Sequence, residues 1–333
     1  MSKIYTSAGW VNWEYIIENK AAFNMIVGPR GVGKTYGLMR YCIKHNRKFI
    51  YMRRLKSQLD QCASAEGNPF RKLNTDLNMD IRPARSKGGV LFADPDTVYA
   101  LGVALSTVAN VRGFDYSDFN MILFDEAIAS DGERPIAHEF EAFLNFYETV
   151  NRNRELTGNE PVQAFLLGNA NRLTNPYFSG WHFMKTALNM LRGKQMVWRS
   201  ADKTRLMIML QDSEISARKR DTVLYKNSSD SFDKMALDNA FRTDATNIKS
   251  MPIREFNHLV TVGELGIYRH KKERLYYVSF LTNKEKQYDS YGIGLKMFQQ
   301  DFYNLKLFYL IQKIVYFENY EAELLFREFF QLT

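Results

Sequence analysis

The stretch 25–37, Met-Ile-Val-Gly-Pro-Arg-Gly-Val-Gly-Lys-Thr-Tyr-Gly, carries the spacing Gly28-x-x-x-x-Gly33-Lys34-Thr35. These residue types at this spacing suit phosphate chemistry. Gly28, Gly31 and Gly33 let the backbone curl so that successive N–H groups face an anion, and a helix starting there adds its positive end. Lys34 is expected to reach the β- and γ-phosphates, and the Thr35 hydroxyl to take a Mg²⁺ position. Arg30 lies inside the loop. It contacts phosphate, senses a neighbouring chain, or is simply solvated.

Two acids, Asp125 and Glu126, end the apolar run Phe119–Phe124. A carboxylate at a strand tip can hold a Mg²⁺ shell, and its neighbour can orient and deprotonate an attacking water. That assigns metal binding to Asp125 and the general base to Glu126; the bland alternative is a pair of helix-capping acids. An Asn-Lys-x-Asp signature for guanine is missing, since Asn283-Lys284-Glu285-Lys286 lacks the acid, so ATP is the expected nucleotide. Asn169, after the run Val162–Gly168, senses a γ-phosphate or shapes a turn. Arg152 and Arg154, at the end of a helical stretch, are either surface partners of acids or arginine fingers reaching a neighbouring site.

Strands must deliver these groups to one edge. The runs 23–27, 48–54, 119–126 and 162–169 read as buried strands, and 33–45 and 137–151 as helices between them. Strands 88–94 and 98–105 read as a hairpin turning at Pro95. Alternating strands and helices predict an α/β fold, a doubly wound and mainly parallel sheet. Residues 212–235 are polar and charged and read as a linker or small connecting subdomain, or as a solvated helix. Beyond about residue 244 come three further strands, near 258–264, 266–272 and 275–281, then helices near 296–314 and 318–331. The expected division is therefore 1–203, a linker at 204–243, and a smaller domain at 244–333.

Composition sets the frame. The 333 residues carry a formal charge of +8, which suits a polyanionic partner. Two separated cysteines point to a reducing compartment rather than a disulfide frame. The apolar run Leu305–Phe317 includes Lys306, Gln312 and Lys313; it is too short and too charged for a bilayer span and reads as a core helix, so no membrane partner is expected.

The ordered set GPRGVGKTY, FIYMRRLK, ILFDE, ETVNRNRE, NAN-x(4)-NPYF (169–178) and MALDNAF (235–241) resembles the DNA-packaging ATPases of small protein-primed tailed phages, terminase-like ASCE P-loop motors that use a prohead RNA. The likeness is strongest before residue 180. It implies an ATPase working as a homo-oligomeric ring, a pentamer in that family, at the portal (connector) of an empty prohead. There the ring would thread double-stranded DNA inward, with ATP and Mg²⁺ as cofactors. The host cytoplasm is the implied location, with no place in the mature virion. By resemblance Lys34, Glu126 and the trans-acting Arg152 are catalytic, Arg112 is a further trans-acting position, and Arg53 restrains the glutamate. Lys56 falls where a DNA-gripping loop is expected, with Arg85 and Lys87 as further pore-facing candidates. The last domain would have the RNase H, nuclease-like fold. Its acids, Asp244, Glu264 and Asp289, follow no metal-binding pattern, while Arg269, His270, Lys271, Lys272 and Arg274 stand out. That reads as a nuclease-dead domain holding RNA, DNA or the portal, or as a solvated hairpin tip. A helicase-like or partition-type ATPase, or a nucleotide-gated nucleic-acid-binding module, shares the loop and the acids.

Overall fold

The computed structural model describes residues 3–86, 88–111, 114–130, 133–169, 175–211, 213–226 and 247–332. The chain divides into two compact units, Met1–Asn171 with Lys194–Ala240 and Arg172–Gly193 with Phe241–Thr333.

In the first unit nine strands form one sheet: β1 (Phe23–Val27), β2 (Phe49–Arg53), β3 (Arg82–Ser86), β4 (Gly89–Ala93), β5 (Val98–Ala104), β6 (Met121–Phe124), β7 (Gln163–Gly168), β8 (Val197–Arg199) and β9 (Arg205–Met209). Their order is β3-β4-β5-β2-β6-β7-β1-β9-β8. The run from β5 to β9 is parallel throughout, and the antiparallel pairs lie at the margins. A parallel strand covered on both faces needs an unbroken apolar sequence. The buried runs in β1, β6 and β7 meet that need. Helices α1 (Trp13–Glu18) and α2 (Lys34–Lys44) precede and follow β1, while α3 (Lys56–Cys62) and α4 (Arg71–Leu77) follow β2. Helix α5 (Glu139–Asn151) buries Phe140, Phe143, Phe146 and Val150, a stripe at helical spacing. Phe143 stacks on Phe124 of β6 with ring centroids 5.9 Å apart. Each such buried phenylalanine contributes about 1.5–3 kcal/mol.

The division of the chain differs from the expected boundaries at 203 and 243. Strand β9 runs parallel to β1, from Phe23 opposite Arg205 to Val27 opposite Met209, so the start of the expected linker is part of the sheet. Leu206–Leu210 is continuously apolar and fully buried, as a strand covered on both faces requires. The 235–241 motif and Asp244 lie outside the described residues.

The second unit has a five-stranded mixed sheet, β13-β10-β11-β12-β14. Strands β10 (Phe256–Val262), β11 (Leu265–His270) and β12 (Tyr276–Ser279) form an antiparallel meander. The edges β13 (Gln287–Tyr288) and β14 (Val315–Phe317) pair parallel to their neighbours. The helix expected over 296–314, and with it the single core helix expected over 305–317, is broken. Helical turns cover Gly292–Asp301, Tyr303–Leu307 and Phe308–Gln312; the chain then turns at Lys313, with φ 54°, into β14. Val315, Tyr316 and Phe317 are β-branched or aromatic, the types a half-buried sheet favours. Among the described residues no helix is long and apolar enough to cross a membrane.

Candidate active site

Four adjacent parallel strands, β1, β7, β6 and β2, end on the same edge, and the chain leaving each delivers one part of the site. Ligands of open α/β sheets bind at this carboxyl edge. From β1 comes the loop 28–33. Gly31 and Gly33 have φ of 72° and 87°, a region that side chains disfavour, and a Cβ on Gly28 would lie 2.4 Å from Leu210. Gly33 then caps α2, whose first residue is Lys34. The buried Lys34 ammonium donates to the carbonyls of Gly28 (2.8 Å) and Pro29 (2.7 Å) and to Asn169 Oδ1 (3.1 Å), at the end of β7. The Thr35 hydroxyl donates to Asp125 Oδ1 at 2.7 Å, past the end of β6.

From β2 comes Arg53. Its guanidinium forks between the two acids, Nη1 to Asp125 Oδ2 at 3.1 Å and Nη2 to Glu126 Oε2 at 2.5 Å. The two carboxylates are not equivalent. The Asp125 side chain is 13% exposed and accepts three hydrogen bonds, whereas that of Glu126 is 47% exposed and open to water. Glu126 also holds a left-handed backbone, φ 50°. Such conformations cost on the order of 1–3 kcal/mol and persist where the surroundings enforce them. Here the neighbouring amides are fixed, Asp125 N–H to Met52 O (2.9 Å) and Ala127 N–H to Leu167 O (2.8 Å).

Burial lowers the Lys34 pKa to about 7; Asp125 opposes that shift, and the Arg30 and Lys219 cations add to it. An arriving anion would reverse the balance, because opposite charge favours the ammonium.

Other expected residues lie elsewhere. Arg152 caps the end of α5, solvent-exposed, with φ 45° and ψ −132°. Arg154 is committed within its own chain, donating to the carbonyls of Ser117 (2.8 Å) and Phe119 (3.0 Å), which leaves it poorly suited to be a finger. Arg112 and Lys87 lie outside the described residues. Lys56 opens helix α3 rather than sitting in a loop, and pairs with Asp60 at 2.7 Å; Arg85 reaches the same Asp60 at 3.5 Å. Lys271 and Lys272 are exposed at the β11–β12 turn with Arg269 and Arg274, and Lys271 donates to the Arg254 carbonyl at 2.8 Å. Glu264 accepts from the Met184 and Lys185 amides at the start of α7 (Met184–Arg192), the helix after α6 (Pro176–Gly180). Among the described residues no cluster of His, Cys, Asp or Glu is arranged for a metal.

Sequence reading overlooked Tyr51. Its buried hydroxyl donates to Asp125 Oδ2 at 3.0 Å, and burial, reinforced by Asp125, holds its pKa well above the usual range, so it remains a neutral donor. Alternation along β2 was the available signal, because residue 51 shares a face with Arg53. Arg54, the residue after β2, turns the opposite way and forms a bidentate pair with Glu139 (2.8 and 2.7 Å).

The donor set suits a triphosphate with Mg²⁺: a left-handed glycine cradle, a lysine, and hard oxygens on Thr35 and Asp125. Residues 7–317 match the family described as Podovirus DNA encapsidation protein (Gp16). The chain is 30% identical to the DNA packaging protein of Bacillus phage PZA over 160 residues, 46% of this chain and 45% of that protein. The match thus spans about half the length of that relative. Two solved structures resemble the fold across nearly the whole chain. The Phi-28 gp11 DNA packaging motor has TM-score 0.62 and 19% identity, over 98% of this chain and 99% of that one. The bacteriophage Phi-29 viral genome packaging motor assembly has TM-score 0.63 and 19% identity, over 97% and 99%. The chain belongs to the podovirus DNA encapsidation protein (Gp16) family.

Proposed function

We propose that the protein is an ATP-driven motor that moves double-stranded viral DNA into a preformed prohead. The observation that carries this reading is the convergence of Lys34, Thr35, Asp125 and Glu126 at the ends of adjacent parallel strands, in a chain of a DNA encapsidation family. The loop amides and Lys34 bind the phosphates. Thr35 and Asp125 hold Mg²⁺, which when bound offsets the charge that develops on the transferring phosphoryl oxygens. Glu126, the exposed carboxylate of the pair, orients the attacking water and takes its proton. Arg53 fixes the direction from which it does so. Asn169, hydrogen-bonded to Lys34, links the loop to β7 and would sense the γ-phosphate.

The exposed Arg152, with Asp115 and Tyr116 near it in its own chain, is the candidate to reach a neighbouring subunit. As a finger it would make the contact between subunits depend on the γ-phosphate, so that hydrolysis releases it. This fits a homo-oligomeric ring, five-membered by family likeness, at the portal with its prohead RNA, acting in the host cytoplasm and leaving before the virion matures. Lys56 and Arg85, which share Asp60 in this structure, would hold the DNA backbone, with affinity that falls as salt rises. Lys271 and Lys272 give the second unit a basic turn for RNA, DNA or the portal, a holding role rather than a nuclease one.

The test is phosphate release and nuclease-protected DNA, measured with purified proheads, prohead RNA and double-stranded DNA. Lys34→Ala abolishes both, and Glu126→Gln binds ATP but hydrolyses it roughly 10²–10⁴-fold more slowly. DNA-stimulated hydrolysis that never protects DNA would replace the motor with a helicase-like or partition-type ATPase. Nucleotide-dependent DNA retention without turnover would replace it with a gated binding module.

A further inference from the structure

Helix α8 (Glu214–Lys219) follows β9 and packs against the phosphate loop within the first unit. Its start is fixed by the N-terminal segment. Ser213 caps the helix, accepting from the Ile215 amide at 3.2 Å, and its hydroxyl donates to the Gly9 carbonyl at 3.3 Å. Tyr5 donates to the Gln211 carbonyl at 3.0 Å. Gly9, with φ 82°, lies so close that a Cβ there would come 3.1 Å from Glu214. Thus anchored, the helix carries Lys219 onto the loop. The Lys219 ammonium donates to the Arg30 carbonyl at 2.6 Å, and a Cβ on Gly31 would lie 2.1 Å from it.

Lys219 thus joins Arg30 and Lys34 as a third cation on one loop, whose Gly28, Pro29 and Arg30 carbonyls accept from the two lysines. A carbonyl accepts a hydrogen bond from an ammonium but does not neutralise it. Packing like charges around a loop is unfavourable until an anion arrives, and a phosphate chain supplies several oxygens within reach of all three. Nothing in the motif spacing requires the third cation; it comes from nearly two hundred residues downstream.

We propose that Lys219 is a second phosphate-binding lysine, exchanging the Arg30 carbonyl for a phosphate oxygen when a triphosphate is bound. The inference rests on the phosphate-loop reading above. Its consequence is a physical link between nucleotide state and the chain that follows β9. The ammonium that holds α8 against the loop is the one that the phosphate engages, so binding tightens the docking of α8 and phosphate loss loosens it.

The test uses the full chain with Mg²⁺, fluorescent non-hydrolysable ATP and ADP analogues, and amide hydrogen exchange of residues 213–219. Lys219→Met weakens the triphosphate analogue by about tenfold, the scale of one lost charge-assisted hydrogen bond, and the diphosphate analogue less. Lys219→Arg restores most of the affinity. The triphosphate slows exchange in 213–219 of the wild type but not of Lys219→Met. Affinity unchanged in Lys219→Met while Lys34→Ala loses binding overturns the proposal and leaves the phosphate-loop reading standing. Equal weakening of both analogues without rescue by arginine assigns Lys219 to loop packing and also overturns it. Undiminished binding by Lys34→Ala removes the phosphate-loop reading itself, and this inference with it.

Discussion

Arg53 is hydrogen-bonded to Glu126 at 2.5 Å, and the other arm of the same guanidinium reaches Asp125 at 3.1 Å. One planar cation thus holds the proposed metal ligand and the proposed base in fixed relation. The fork is a property of arginine. A lysine ammonium is a single point charge and cannot span both carboxylates in this geometry. Arg53→Lys keeps the charge and loses the bridge. Steady-state phosphate release is expected to show kcat reduced roughly 10- to 100-fold, part of what a well-placed general base contributes, with KM for ATP little changed. A normal kcat would mean that Glu126 is positioned by its backbone alone.

Arg152 and Arg154 stand two residues apart and do different work. Arg154 satisfies two carbonyls of the 117–119 turn, whereas the Arg152 side chain faces solvent. Arg154→Ala removes charged donors from those carbonyls and should lower unfolding stability by about 1.5–3 kcal/mol. Arg152→Ala should leave the denaturation midpoint unchanged but stop turnover in a uniform ring. In mixed assemblies with Lys34→Ala subunits, which retain Arg152, hydrolysis should return at intact loops facing an intact arginine. Titrating the two variants against each other and measuring phosphate release checks this; a mixture as silent as either variant alone refutes the trans assignment.

The loop, the acid pair and the strands that carry them were legible because each is local: a spacing, a strand tip, an apolar run. Arg53 was reached through family likeness, and its neighbour Arg54, just past the end of β2, turns to the opposite side and is buried. Tyr51 was readable by strand alternation but hidden among apolar neighbours. Lys219 was not readable, since its role depends on where a helix docks after β9 and no local pattern records that. The placement of β9 failed for a related reason. Leu206–Leu210 is a strand by composition, but it follows a loop in a polar region, and its parallel pairing with β1 is a contact across 180 residues. In the C-terminal unit, Val315–Phe317 continues the apolar spacing of the preceding helix, and only the sheet edge offered by β12 turns it into a strand.

Glu264 supplies a pH dependence with a definite sign. Its carboxylate accepts from the Met184 amide at 2.9 Å and the Lys185 amide at 3.3 Å, capping a helix whose own N-cap, Phe183, offers no side-chain acceptor. Burial raises its pKa from 4.5 to about 7, against the pull of those two amides. The folded protein therefore holds this proton more tightly than the unfolded chain. The stability it contributes is complete below about pH 4.5 and is lost progressively as pH rises through about 7. Glu264→Gln keeps an acceptor oxygen for the helix and does not titrate. Comparing urea midpoints of wild type and variant at about pH 5 and pH 8 isolates this group from all others. The wild type should lose ground to Glu264→Gln as pH rises. A wild type that instead gains on the variant would show that the two amides and the helix dipole outweigh burial, making Glu264 an ordinary ionised cap.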